Sequence, residues 1–224
     1  MSDSFHRIRS YVIRAARISN AQKKAYDAHS PSWVLPVNRR ALDSTKLFPE
    51  AEKIIVEIGF GMGNATRQMA KEHPEWGIVG IEVHKPGVGK LLWWINQDSL
   101  KNLFIIEHDA VEVFSEFLPK SSIDGIHIWF PDPWPKKRHY KRRLIQADFT
   151  GKLLKVLKSG GYIHAATDWE PYANHILDVF NKTPGLKNRY ALWADKPDYR
   201  PDTKFEKRGI EARRIIRDII FEKE

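Results

Sequence analysis

From residue 53 onward the chain alternates short β-branched runs with amphipathic stretches, and this rhythm constrains the fold more than any other feature. "KIIVEIGF" reads as a buried strand ending in glycines, and "NATRQMAKEH" as a helix capped by Asn64. "GIVGIEVH" is a second strand and "VGKLLWWINQ" a second helix. "NLFIIEHDA", the short helix "VEVFSEFL", and "IDGIHIWF" follow. A helix over "RRLIQADFTGKLLKVLK" then leads to a fifth strand, "GGYIHAAT". Strands spaced by helices in this way predict an α/β fold, a parallel sheet with helices on both faces. Such a sheet binds ligands at the carboxyl ends of its strands. The closing "RRIIRDIIFEKE" has isoleucines at helical spacing in a β-branched composition, so its pattern leaves helix and strand both open.

Residues 1–50 have a different texture. Up to Arg40 they carry eight Lys/Arg against Asp3 and Asp27, with a helix expected from Ser19 to Ala28. They read as a basic N-terminal extension, and residues 51–224 as the main α/β domain. The first 26 residues are Arg-rich and contain serines, a superficial likeness to an organelle transit peptide. No apolar run is long enough to span a membrane. The absence of cysteine excludes disulfides, thiol nucleophiles and Cys-based zinc sites, and no acid/His cluster has metal-ligand spacing, so no metal is assigned.

Between the first strand and helix, Glu57 is followed by Gly59, Gly61 and Gly63 in strict alternation. The dinucleotide fingerprint would need glycine at 64, where Asn64 stands; starting from Gly61 it would need glycine at 66, where Thr66 stands. The pattern instead resembles motif I of class I methyltransferases that use S-adenosylmethionine. Glu82 ends the second strand, placed to accept from both hydroxyls of a ribose. Asp109 ends the third, within reach of an adenine amino group.

"FPDPWPKKRHYKRR" holds the acid Asp132 between two prolines that restrict its backbone. Six Lys/Arg follow within residues 136–143, and unpaired charges of that density cannot be buried. With 37 Lys+Arg against 28 Asp+Glu, the net charge of +9 favours a polyanionic partner. Trp134 suits either stacking on a base or packing beside its prolines.

Taken together, "GFGMGN", "GIEVHKPGVG", "HDAVEVF", "FPDPWPKKRHYKRR", "ATDWEPYA" and "TKFEKRG" occur in the order found in bacterial tRNA (guanine-N7-)-methyltransferases, which the chain resembles from about Arg7 onward. The front end, "IRSYVIRAAR", is similar to that family's Arg-Ser-aromatic-Val start and displaces the transit-peptide reading. The resemblance implies a Rossmann-like, seven-stranded, mostly parallel sheet whose last strand is antiparallel, and so a strand for the closing isoleucines. It implies S-adenosylmethionine as cofactor, contacted by Glu57, Glu82, Asp109 and Asp132 with the glycine loop, and Asp132 as the catalytic residue. It carries Lys136, Asp168, Thr203, Lys204, Phe205 and Glu206 over as substrate-binding positions. Arg138, His139, Tyr140, Lys141, Arg142 and Arg143 match its RNA-binding segment. Asp168 also suits capping of the following helix.

The activity so implied is methyl transfer to N7 of a guanine in the variable loop of tRNA, in a cytoplasmic monomer or homodimer. Two other readings compete: an RNA-binding protein that keeps the fold without catalysis, and an enzyme of the same fold methylating another nucleic-acid atom. Glu82, Asp132 and the glycines together argue against the first. "DPW" is only a loose relative of the Asn/Asp-Pro-Pro-aromatic loop typical of the second.

Overall fold

The computed structural model describes residues 8–12, 17–37 and 41–224. Residues 13–16 of the family-like front end, and residues 1–7 and 38–40 of the basic extension, lie outside these. Strands β1 (Lys53–Ile58), β2 (Trp76–Ile81), β3 (Leu103–Ile106), β4 (Ile123–Trp129), β5 (Leu157–Thr167), β6 (Leu186–Asn188) and β7 (Arg217–Lys223) form one sheet in the order β3-β2-β1-β4-β5-β7-β6. β7 alone runs antiparallel to its neighbours, as the family resemblance implied. The helices are α1 (Asn20–Trp33), α2 (Ser44–Leu47), α3 (Asn64–Glu72), α4 (Lys85–Gln97), α5 (Ala110–Glu116), α6 (Ala147–Val156), α7 (Glu170–Asn181) and α8 (Lys204–Glu211).

Alternation along β1 divides the core. Ile54, Val56 and Ile58 face a layer containing α5, α6 and α7, while Ile55 faces α3 and α4. Glu57 shares the Ile55 side. Order reverses between β1 and β4, and the crevice at the carboxyl ends of the strands opens at that switch.

Several helix boundaries differ from the sequence reading; α1, expected to end at Ala28, runs on to Trp33. Asn64 is the first helical residue, because Gly63, at φ 75°, takes the cap position in a left-handed conformation. The helix expected over residues 142–158 is shorter, running only from Ala147 to Val156, with Leu157 and Lys158 already in β5. A 3₁₀ turn, Lys137–Arg142, precedes α6, and Arg143 to Gln146 link them in extended or loop conformation. Arg143 lies in this link, buried against the Pro133 carbonyl and the Tyr140 ring.

The basic extension is packed into the same body. Ser19 and Gln22 form a reciprocal capping box that starts α1. At its far end Trp33 lies 5.2 Å from the Phe104 ring, and the Leu35 N–H donates to the Ile105 carbonyl at 2.7 Å. Leu42 and Phe48 are core residues. Among the described residues, no helix is long and apolar enough to cross a membrane.

Candidate active site

A cavity of about 470 Å³ lies over the carboxyl ends of β1, β2, β3 and β4. Gly59 and Gly61 floor it, Ile58, Ile81 and Ala110 supply apolar walls, and Glu82, Asp109 and Asp132 bring three carboxylates to its lining. The glycine loop is held by Glu82 itself: one carboxylate oxygen accepts from the Gly61 N–H at 2.8 Å, the other from Val83 and His84 N–H at 2.7 and 3.0 Å. Asp109 caps α5 by accepting from the Val111 N–H at 2.8 Å. Tyr11, from the front-end segment, also lines the cavity; burial and a hydrogen bond with Asp109 push its hydroxyl pKa up.

The loop carrying Asp132 is stiffer than its prolines alone would make it. Phe130 and Trp134, one on each side of Pro131-Asp132-Pro133, both adopt left-handed backbone conformations, at φ 54° and 46°. For bulky aromatic residues these are strained, at a cost of order 1–3 kcal/mol each, and surrounding contacts must hold them. Those contacts are present. The Phe130 N–H donates to the Ala166 carbonyl at 2.7 Å, and the Trp134 indole donates to the Ser10 carbonyl at 3.0 Å. Arg143 is buried beneath the loop, donating from Nε to the Pro133 carbonyl at 3.0 Å with its guanidinium over the Tyr140 ring at 3.7 Å. Asp132 itself is exposed to the cavity.

The site residues expected from sequence divide into three groups. Gly59, Gly61, Glu82, Asp109, Asp132, Lys204 and Phe205 meet at the cavity. Glu57 and Gly63 do not line it. Glu57 is buried on the α3 side of β1, and burial pushes its carboxyl up to about 7, with Glu82 adding and the nearby Thr66 hydroxyl opposing. Neither Glu57 Oε2 nor Thr66 Oγ1 has a hydrogen-bond partner among the described residues. The third group is turned elsewhere. Asp168 pairs with Arg214 at 2.8 Å and does not cap α7, whose cap position is Trp169. Thr203 caps α8, accepting from the Glu206 N–H at 3.0 Å, and Glu206 is buried against Arg200.

On the flank, Lys136, Lys137, Arg138 and Lys141 are exposed and pair with no acid among the described residues. His139 and Arg142 gather around Trp134, whose edge-on contact with His139 spans 5.7 Å. Partial desolvation, then the neighbouring Arg138, Arg142, Lys136 and Lys141, hold His139 below its usual pKa. Trp134 is therefore tied to its own chain by its indole N–H, and Arg143 supports the loop from below instead of joining the exposed run. Besides Tyr11, sequence reasoning missed three further contributors. Phe130 lines the cavity with its ring 6.2 Å from Phe205. Gly87 lets α4 approach the glycine loop so closely that a Cβ there would stand 1.9 Å from the Gly61 carbonyl oxygen. Arg200 lies in a stretch with no motif. The signal for Gly87 was present, inside the quoted "HKPGVG".

A parallel sheet with one antiparallel strand, a glycine loop after β1 and acids at the ends of β2 and β3 define a class I methyltransferase. The fold is also that of a 16S rRNA methyltransferase, KamB (TM-score 0.61, 13% identity, 86% of this chain and 99% of that one). TrmN from Thermus thermophilus is a further structural neighbour (TM-score 0.55, 16% identity, 80% of this chain and 47% of that one). A family model described as "Putative methyltransferase" matches residues 51–219. The tRNA (guanine-N(7)-)-methyltransferase of Nitrosomonas europaea is 50% identical over 214 residues, covering 96% of both chains. That of Nitrosospira multiformis is 47% identical over 216 residues, 96% of this chain and 94% of its own. The chain belongs to the tRNA (guanine-N(7)-)-methyltransferase family.

Proposed function

We propose that the chain transfers a methyl group from S-adenosylmethionine to N7 of a guanine in the variable loop of tRNA. The observation that carries this reading is the strained Phe130–Trp134 loop, which holds Asp132 in the lining of a cavity that Glu82 and Asp109 also line. The donor set fits the cofactor. Glu82 suits a ribose diol, Asp109 an amino group, and the apolar walls an adenine, in a space of about 470 Å³. When bound, the cofactor supplies an electrophilic methyl group on a positively charged sulphur.

Guanine N7 has an in-plane lone pair and carries no proton, so the chain needs no general base. Its task is to hold the base in line with the methyl carbon, and such positioning supplies much of the acceleration. Asp132 accepts from the guanine N1–H and N2–H groups and stabilises the positive charge that develops on the ring. Phe205 and Lys204 face the same space from α8. The exposed cations of residues 136–142 meet phosphates beside the target base.

The test is to incubate the protein with labelled S-adenosylmethionine and unmodified tRNA transcripts, then digest and identify the labelled nucleoside. N7-methylguanosine is expected, with Asp132→Ala lowering kcat by about 10²-fold or more. Label in another nucleoside overturns the substrate atom. Salt-sensitive tRNA binding without any label overturns the enzyme reading.

A further inference from the structure

Behind the α8 wall of the cavity is a buried ionic network that takes no direct part in that chemistry. Its centre is Arg200, 2% exposed. Nη1 and Nη2 donate to the two Glu206 oxygens at 2.7 and 3.1 Å, and Nη2 also to Asp218 Oδ2 at 3.0 Å. Nε lies 2.6 Å from Asp218 Oδ1 as an ion-pair contact without hydrogen-bond geometry. Lys196 reaches Glu206 at 3.2 Å from the solvent side. Asp218, on β7, also accepts from His164 Nε2 at 2.7 Å; the other ring nitrogen of His164 accepts from Tyr199 at 3.1 Å and from the Trp129 indole at 3.3 Å. Trp129 is itself part of the cavity wall.

This matters because of what α8 lacks. Its buried residues are Glu206 and Gly209, so no buried apolar side chain anchors its rotation about its axis; Phe205 makes only a partly exposed ring contact with Phe130. Lys204 and Phe205 point into the cavity; Thr203 and Glu206, from the same four-residue segment, face the cap and Arg200. A turn of α8 by one residue, about 100°, would carry Phe205 out of the cavity. The ionic contact opposes that turn, helped by the close seat of Gly209 against Asp168 and Ile216 and by the ring contact between Phe205 and Phe130. The planar fork of arginine can hold two carboxylates at once, which a lysine ammonium cannot do with fixed geometry.

We propose that Arg200 is a positioning residue for methyl transfer. Through Glu206 and Asp218 it sets the rotation of α8 and presents Lys204 and Phe205 to the base, while Thr203 and Glu206 act on the helix and not on the substrate. This rests on the tRNA methyltransferase reading given above.

The experiment compares Arg200→Lys, Glu206→Gln and the double variant with the unsubstituted protein. It measures kcat and KM for tRNA at saturating cofactor, cofactor affinity by calorimetry, and thermal melting. Each single variant is expected to melt cooperatively, to bind cofactor within twofold of the unsubstituted protein, and to lose at least tenfold in kcat/KM for tRNA. The double variant should fall no more than about twofold below the worse single, because both changes break one link. Losses that multiply would place Glu206 on the substrate and overturn the proposal. So would an Arg200→Lys protein with unchanged kcat/KM, or a parallel loss of cofactor affinity that marks general damage. If Arg200→Lys does not fold, Asp218→Asn, which removes the other carboxylate held by Arg200, takes its place in the same comparison with Glu206→Gln and the double variant. Failure of the tRNA methyltransferase reading is distinguishable, because the unsubstituted protein would then make no N7-methylguanosine.

Discussion

Glu57 is the residue whose surroundings most change its chemistry. Its carboxyl, ordinarily near 4.5, is pushed up to about 7 by burial, so below that pH the native protein holds a proton that the unfolded chain has released. Stability therefore falls as pH rises from about 4.5 to 7 and levels off above, by at most about 3 kcal/mol. Glu57→Gln, which cannot ionise, is expected to flatten this slope in urea melts at several pH values; an unchanged slope would show that another group carries it. The motif around Glu57 was legible from sequence, since alternating glycines after a β-branched run need a strand-to-helix turn. Its burial was not, because depth depends on α3 packing over β1 from the side. The same limit applied to Asp168, whose partner Arg214 is 46 residues distant.

Among the elements, the Phe130–Trp134 loop and the 3₁₀ turn after it make one unit, with rigid acid in front and exposed cations behind. The turn's lysines and arginines are expected to add salt-sensitive affinity without affecting the cofactor. Arg138→Ala and Lys141→Ala should each weaken tRNA binding and reduce the slope of log affinity against log salt by roughly 0.7–0.9. Binding that stays flat in salt in the unsubstituted protein would reduce the run to surface decoration. Arg143→Ala should behave differently, loosening the Asp132 loop and lowering kcat more than it changes that slope. Sequence charge alone could not separate Arg143 from its neighbours. The distinction comes from the Pro133 carbonyl and the Tyr140 ring, which only the folded loop brings to it.

For the whole molecule, the mostly parallel sheet followed from the alternation, and its seven strands and antiparallel β7 from the family resemblance, because a repeating β/α rhythm leaves few topologies. The integration of residues 19–50 did not follow, since their polar composition hides the few apolar contacts that dock them. Those contacts make a prediction. Trp33→Ala should lower Tm by several degrees, at a cost below the ~3–5 kcal/mol of a fully buried aromatic, because Trp33 is only half-buried. Melting should remain one transition. A separate early transition would mark residues 19–50 as an independent unit.

The position of Asp218 has a consequence for synthesis on the ribosome. The glycine loop, Glu82, Asp109 and Asp132 have all been translated by the time β4 and its loop emerge, but the aspartate that secures Arg200 belongs to β7, which closes against β5 from downstream. A nascent chain therefore carries the three carboxylates of the cavity well before it carries the strand that seats Arg200. A chain interrupted after α8 would lack Asp218, and with it one of the two carboxylates that hold Arg200.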